Sequence, residues 1–140
     1  MRQIKEDKIY RIIDANLNRA KEGLRVCEDT SRFILDDVRL TKRYKGIRHQ
    51  LSSVMSHFPV KKERVVQARN ILGDVGKGST ALELKRNNIY DIFWANSQRT
   101  KESIRVLEEF SKLIKKTSAE DFKKIRYRIY HLEKEIVERF

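Results

Sequence analysis

From residue 10 onward apolar and small side chains recur at spacings of three and four, through Ile13, Leu17, Ala20, Leu24, Cys27, Ser31 and Ile34. This is the period of one face of an α-helix, and it predicts a long first helix over residues 1–35. At roughly 100° per residue, Ile12, Ala15, Val26 and Phe33 fall on another side, with Arg19 and Gly23 among them, so the helix is expected to be covered on two sides. Asp36 and Asp37 mark its end. A second helix over 38–57 follows from the row Leu40, Tyr44, Ile47, Leu51, Val54 and Phe58, and Pro59 closes it by pushing the preceding residue out of the α region.

Helical periodicity is then lost over 60–79, although 64–68 reads as a short extended or helical piece. Gly73, Gly76 and Gly78 crowd into six positions of this stretch. A connection of that length in a compact fold is more often functional than idle. Helix resumes near Ala81, where Thr80 and Glu83 form a capping box, and breaks at Asn87-Asn88. A third long helix then runs to about Lys116. Thr117 with Glu120 forms another capping box, opening a last helix through Phe122, Ile125, Ile129, Leu132 and Ile136. Trp94 and the tyrosines sit at helical spacing among apolar residues and read as core, with Tyr10 and Tyr90 as exceptions because they recur.

Recurrence is the organising feature. Aligned without a gap, residues 10–34 and 90–114 share 12 of 25 residues, among them Asn16/Asn96, Arg19/Arg99, Glu22/Glu102, Arg25/Arg105 and Glu28/Glu108. The shorter helices echo each other too, Tyr44-Lys45-Gly46-Ile47-Arg48 against Phe122-Lys123-Lys124-Ile125-Arg126. An internal repeat of this kind is one supersecondary unit used twice. The expected fold is therefore all-α, a bundle of two helical hairpins related by a pseudo-twofold axis and joined by a glycine-rich loop. One domain over 1–140 is expected, with repeat one at 1–58, the connecting loop at 59–79 and repeat two at 80–140.

Composition narrows the partners. The net charge of +12 points to an anionic partner, although part of any Lys, Arg and Glu excess is only a solvated surface. A single cysteine, Cys27, leaves no intramolecular disulfide, and no secretory leader opens the chain, so a reducing cytoplasmic setting is expected. No run approaches the roughly 18 apolar residues of a membrane span, so no membrane is expected as a partner. His49, His57 and His131 lack metal-ligand spacing, which argues against zinc. Ser79 has no evident histidine and acid partners, which argues against acyl transfer.

The recurring polar residues are spaced by three, a drift of about 60° per step, so only adjacent members can face one ligand. Arg25 with Glu28 reads as a surface ion pair worth about 0.2–0.5 kcal/mol. Asn16 and Arg19 lie beside the apolar faces, where an unpaired polar group costs about 1–3 kcal/mol. Either a buried polar network or a small phosphorylated ligand would satisfy them and their copies. The stretch 73–80 has phosphate-loop spacing, but its lysine, Lys77, precedes the second glycine and no strand enters it. Its backbone could still form an anion-binding nest, with Asp74 on Mg²⁺ and Arg69 and Lys77 on phosphate oxygens, or be a plain flexible crossover.

These residues resemble a known family. Ile13-Asp14-Ala15-Asn16-Leu17-Asn18-Arg19-Ala20-Lys21-Glu22-Gly23-Leu24-Arg25-Val26, then Ala68-Arg69-Asn70 with Gly73-Asp74-Val75-Gly76, then Ala95-Asn96 and Arg105-Val106-Leu107-Glu108-Glu109, and Ile125-Arg126-Tyr127, are similar to the monofunctional hydroxymethylpyrimidine-phosphate kinases of thiamine biosynthesis. That family occurs alone or fused in front of thiamine-phosphate synthase. The resemblance implies transfer of the γ-phosphoryl of ATP, with Mg²⁺, to 4-amino-5-hydroxymethyl-2-methylpyrimidine phosphate. It also implies a chain that lacks the synthase barrel and does not join pyrimidine to thiazole. On this reading Arg69 and Asp74 are catalytic, and Asn16, Arg19, Glu22, Asn96, Arg99 and Glu102 bind substrate. Gly73, Gly76, Lys77, Arg48 and Arg126 hold phosphate. Asn70 departs from the family's usual aspartate, which shifts any metal role toward Asp74.

Two rival readings remain. One is a non-catalytic basic bundle that binds nucleic acid, against which the arginines here alternate with glutamates. The other is an accessory domain that works with a separate thiamine-phosphate synthase. An uncapped apolar face in either hairpin would permit a homodimer.

Overall fold

The structure, a computed structural model, describes residues 2–140, and the described residues are helical and turn-forming, with no strand among them. Helix α1 runs Arg2–Asp29 and continues as a π-helical turn over Thr30–Ile34. Helices α2 (Val38–Ser56), α3 (Lys62–Gln67), α4 (Ala81–Leu84), α5 (Ile89–Ser111) and α6 (Lys116–Val137) follow. The fold is all-α, as the periodicity predicts. Each of the four long helices packs on two others, α1 on α5 and α2, and α6 on α5 and α2. Helices α1 and α5 thus form one side of the bundle and α2 and α6 the other.

The rows read from spacing become the core. Leu40, Tyr44, Ile47, Leu51, Val54 and Phe58 of the second helix are buried, as are Phe122, Ile125, Ile129, Leu132 and Ile136 of the last. On α1 the row holds from Ile13 to Ser31 and then fails, because Ile34 is half exposed. The cause is the π turn. Thr30 Oγ1 and Ser31 Oγ donate to the carbonyls of Val26 and Cys27, four residues back, at 2.8 and 3.0 Å. Such back-bonding distorts a helix end, and the widened turn rotates Phe33 and Ile34 outward. Phe33, expected on a second covered side, is exposed beneath the Arg32 guanidinium. In the second copy Phe110 replaces Thr30, and Ser111 Oγ donates only three residues back, to Glu108.

Helix ends follow local chemistry. Asp36 takes φ 49°, turning the chain, and Asp37 then caps α2 by accepting the Leu40 N–H at 2.9 Å. Asn88 caps α5 by accepting the Asp91 N–H at 2.8 Å. The Thr80 capping bond to Glu83 N is present at 3.3 Å, but the helix it opens lasts only four residues. The box expected at Thr117 is not the start of α6. Ser111 ends α5, and Lys115 is the extended residue before α6, so Thr117 lies inside the first turn, where Ser118 and Ala119 are drawn into the core.

Candidate functional site

The two recurring helices meet at Gly23. A side chain there would strike Thr100 Oγ1 and lie 2.8 Å from the Asn96 carbonyl oxygen, so α1 and α5 approach backbone to side chain. Residues early in α1 therefore meet residues late in α5, an antiparallel crossing. It places Asn16 and Arg19 across from Arg99, Glu102, Ser103 and Val106 in a cleft of about 680 Å³. The glycine-rich loop supplies the third wall through Asp74, Gly76, Lys77, Gly78 and Ser79. A neighbouring cleft of about 730 Å³ shares Asn16, Arg19 and Asp74 and adds Lys8, Arg11, Asp14, Glu22, Arg69 and Asn70.

Three cations in this cleft keep their charge available. Arg19 donates only a long bond, 3.4 Å, to Asn16 Oδ1, and among the described residues neither the Arg99 guanidinium nor the Lys77 ammonium has an ion-pair partner. Facing them, Glu102 accepts from Gln98 Nε2 at 3.2 Å. An opening with guanidinium groups outside any ion pair and separate carboxylates fits a ligand that carries phosphate at one end and N–H donors at the other.

Other expected site residues are placed differently. Arg69 is locked to Asp14 by two bonds, Nε to Oδ2 at 2.5 Å and a terminal nitrogen to Oδ1 at 2.8 Å, and that bonding raises the guanidinium above its ordinary pKa. The glycine loop spends N–H groups on itself, since Gly73 N donates to Asn70 Oδ1 and Gly76 N to Asp74 Oδ1, both at 2.9 Å. Asn70 thus closes a side-chain turn where the resemblance leads one to expect an acid. Asn96 donates back to the Ile92 carbonyl at 2.8 Å and lines neither cleft. Arg48 and Arg126 make the same bond in each copy, Nε to Glu28 Oε2 and Nε to Glu108 Oε2, each at 3.0 Å. Burial lowers Arg126, but the Glu108 bond and charge outweigh it and hold the group above its ordinary value. Among the described residues, no three His, Cys, Asp or Glu side chains converge as a metal site would require.

Two features escape the repeat because they are not repeated. Asp14 is buried where its copy is Trp94, so a filter for recurring residues passes over it. Lys101 is buried with its ammonium 2.9 Å from Glu133 Oε1, while Ser97 Oγ donates to Glu133 Oε2 at 2.6 Å. Lys101 recurs as Lys21, but Ser97 stands opposite Leu17 and Glu133 opposite Met55. The ammonium also faces the rings of Trp94 and Tyr130, both partly exposed rather than core.

With this geometry in place, the family model described as the ThiD2 family matches residues 11–135. The chain belongs to the ThiD2 family. This ThiD2 chain is similar to curated proteins named thiamine-phosphate synthase. One from Rhodopirellula baltica is 39% identical over 129 residues, covering 91% of this chain and 34% of the relative. One from Prochlorococcus marinus strain AS9601 is 42% identical over 127 residues, covering 90% and 34%. A third, from Synechocystis, is 39% identical over 134 residues, covering 95% and 37%. This ThiD2 chain therefore spans about a third of the length of the curated relatives it matches. No solved structure matches it. None of the described helices is long and apolar enough to cross a membrane.

The relatives correct the expected activity. They are named for thiamine-phosphate synthesis, a different enzyme activity from ATP-dependent phosphoryl transfer to hydroxymethylpyrimidine phosphate, so the kinase assignment, with its transferase and ATP-binding labels, does not stand. The place in thiamine biosynthesis does stand, on the family and on the names of the relatives. Arg69, expected on phosphate oxygens, pairs instead with Asp14 through Nε and one terminal nitrogen.

Proposed function

We propose that the chain is an accessory domain of thiamine-phosphate synthesis that holds a phosphorylated pyrimidine in the cleft between α1 and α5. The observation that carries this is the convergence of Arg19, Arg99 and Lys77, three cations without strong partners, on a space that also holds Glu102. A phosphate group is bound by such a fork of guanidinium groups, and an aminopyrimidine ring donates N–H to a carboxylate. The neighbouring cleft adds Glu22 as a second acceptor. Similarity to proteins named thiamine-phosphate synthase supports the pathway, and the partial coverage supports an accessory part rather than the whole reaction.

Equilibrium dialysis with 4-amino-5-hydroxymethyl-2-methylpyrimidine phosphate and its unphosphorylated parent tests the reading. The phosphate ester is expected to bind at least about tenfold tighter than the parent, a difference of about 1.4 kcal/mol. Equal retention of the two compounds would overturn it.

A further inference from the structure

On the side of the bundle away from the α1/α5 cleft, α2 and α6 form a groove of about 780 Å³. Its walls carry Arg43 from α2 and Lys123, Lys124 and Arg128 from α6, with Tyr127 and Leu132 as the apolar floor. Gly46 of α2 lies beneath Arg128, whose guanidinium would be 3.9 Å from a Cβ at that position, an ordinary contact. Arg128 donates to the neutral Gln50 amide oxygen across the groove.

The groove is short of anions. Glu135 is its neighbouring carboxylate, and it is shared: Oε2 takes Arg39 at 2.6 Å, while Oε1 takes Arg43 at 2.8 Å and faces His131 Nε2 at 3.1 Å. Burial pushes the Glu135 carboxyl up, but the Arg39 bond and the charges of Arg39, Arg43 and His131 outweigh this and hold it below its ordinary value. That leaves Lys123 and Lys124 without an ion-pair partner among the described residues, and Arg128 with a neutral one. Cations left uncompensated along a helix–helix groove, with an exposed tyrosine between them, match an acidic strip with an apolar edge.

We propose that the α2/α6 groove is a protein-docking surface whose occupant is an acidic segment of the synthase that this accessory domain serves. The identity of that partner rests on the accessory reading; the groove's chemistry does not. Charge complementarity sets the occupant's sign. Position fits as well, since docking here leaves the pyrimidine cleft on the opposite side open. In the relatives the region matched by this chain is joined to a further stretch about twice as long, which would hold such a segment close to the groove.

The test uses fluorescence anisotropy of a labelled oligoglutamate peptide added to the whole chain at low salt, with two double variants of equal charge change. Lys124→Glu with Arg128→Glu is expected to weaken binding at least about tenfold, and Lys61→Glu with Lys62→Glu, on exposed positions at the start of α3, less than about twofold. Equal weakening by both variants would reduce the effect to net charge and overturn the proposal, as would absence of peptide binding by the wild type. A single-stranded oligonucleotide of matched charge, used as competitor, should displace the peptide only at higher concentration; tighter binding of the oligonucleotide would assign the groove to nucleic acid instead. The same samples are titrated with the pyrimidine phosphate. The groove variant should retain that binding, and loss of pyrimidine binding in the wild type would count against the cleft reading alone.

Discussion

Cys27 and Tyr44 show how burial sets chemistry at single side chains. The Cys27 thiol is pushed up to about 12, first by burial and then by the nearby Glu133 charge. Burial raises the Tyr44 phenol in the same way, and its hydroxyl has no hydrogen-bond partner among the described residues. A raised acid group contributes stability that is fully present below its unfolded-state value, 9.0 for this thiol, and lost as pH rises toward about 12. Urea unfolding at about pH 8 and about pH 10.5 should therefore show the wild type losing stability at the higher pH, and Cys27→Ala losing less. An identical loss in both proteins would remove Cys27 as the cause. Residue spacing placed both side chains in the core. It did not show Asp14 or the Lys101–Glu133 pair, because a buried polar residue is revealed by its partner, and these partners lie 55 and 32 positions away.

Among the helices, periodicity placed the apolar rows of α2 and α6 residue for residue, since each of those helices has a single buried face. It failed where side chains rewire the backbone. Thr30 and Ser31 open the π turn, and the chain enters α6 ahead of Thr117. Gly23 belongs to the same scale of explanation. Its missing side chain, not its flexibility, is what the α1/α5 crossing uses, because Asn96 O would sit 2.8 Å from a Cβ. Alanine is the better helix former by about 1 kcal/mol. Gly23→Ala should nonetheless destabilise the protein by about 2 kcal/mol in urea unfolding, since the helices must separate. Thr100→Ala in the same chain should recover only part of this, because the Asn96 carbonyl remains. A rise in stability on Gly23→Ala would show that the helices cross elsewhere.

For the molecule as a whole, duplication supplied a frame and asymmetry shaped its cleft. The copies contribute alike where Arg48 and Arg126 bind Glu28 and Glu108, which ties each long helix to the shorter one that follows. They contribute unlike parts to the cleft, Asn16 and Arg19 from one and Arg99 and Glu102 from the other, with the glycine loop present only once. The sequence carried the repeat and the candidate residues but not the direction of the crossing. That direction decides whether the copies build two equal sites or one combined site. Isothermal titration of the whole chain with 4-amino-5-hydroxymethyl-2-methylpyrimidine phosphate measures this directly. One ligand per chain is predicted, with Arg19→Ala and Arg99→Ala each weakening binding about tenfold or more, near 1.4 kcal/mol. Two equivalent ligands per chain, or full affinity in either variant, would contradict a single site built from both copies.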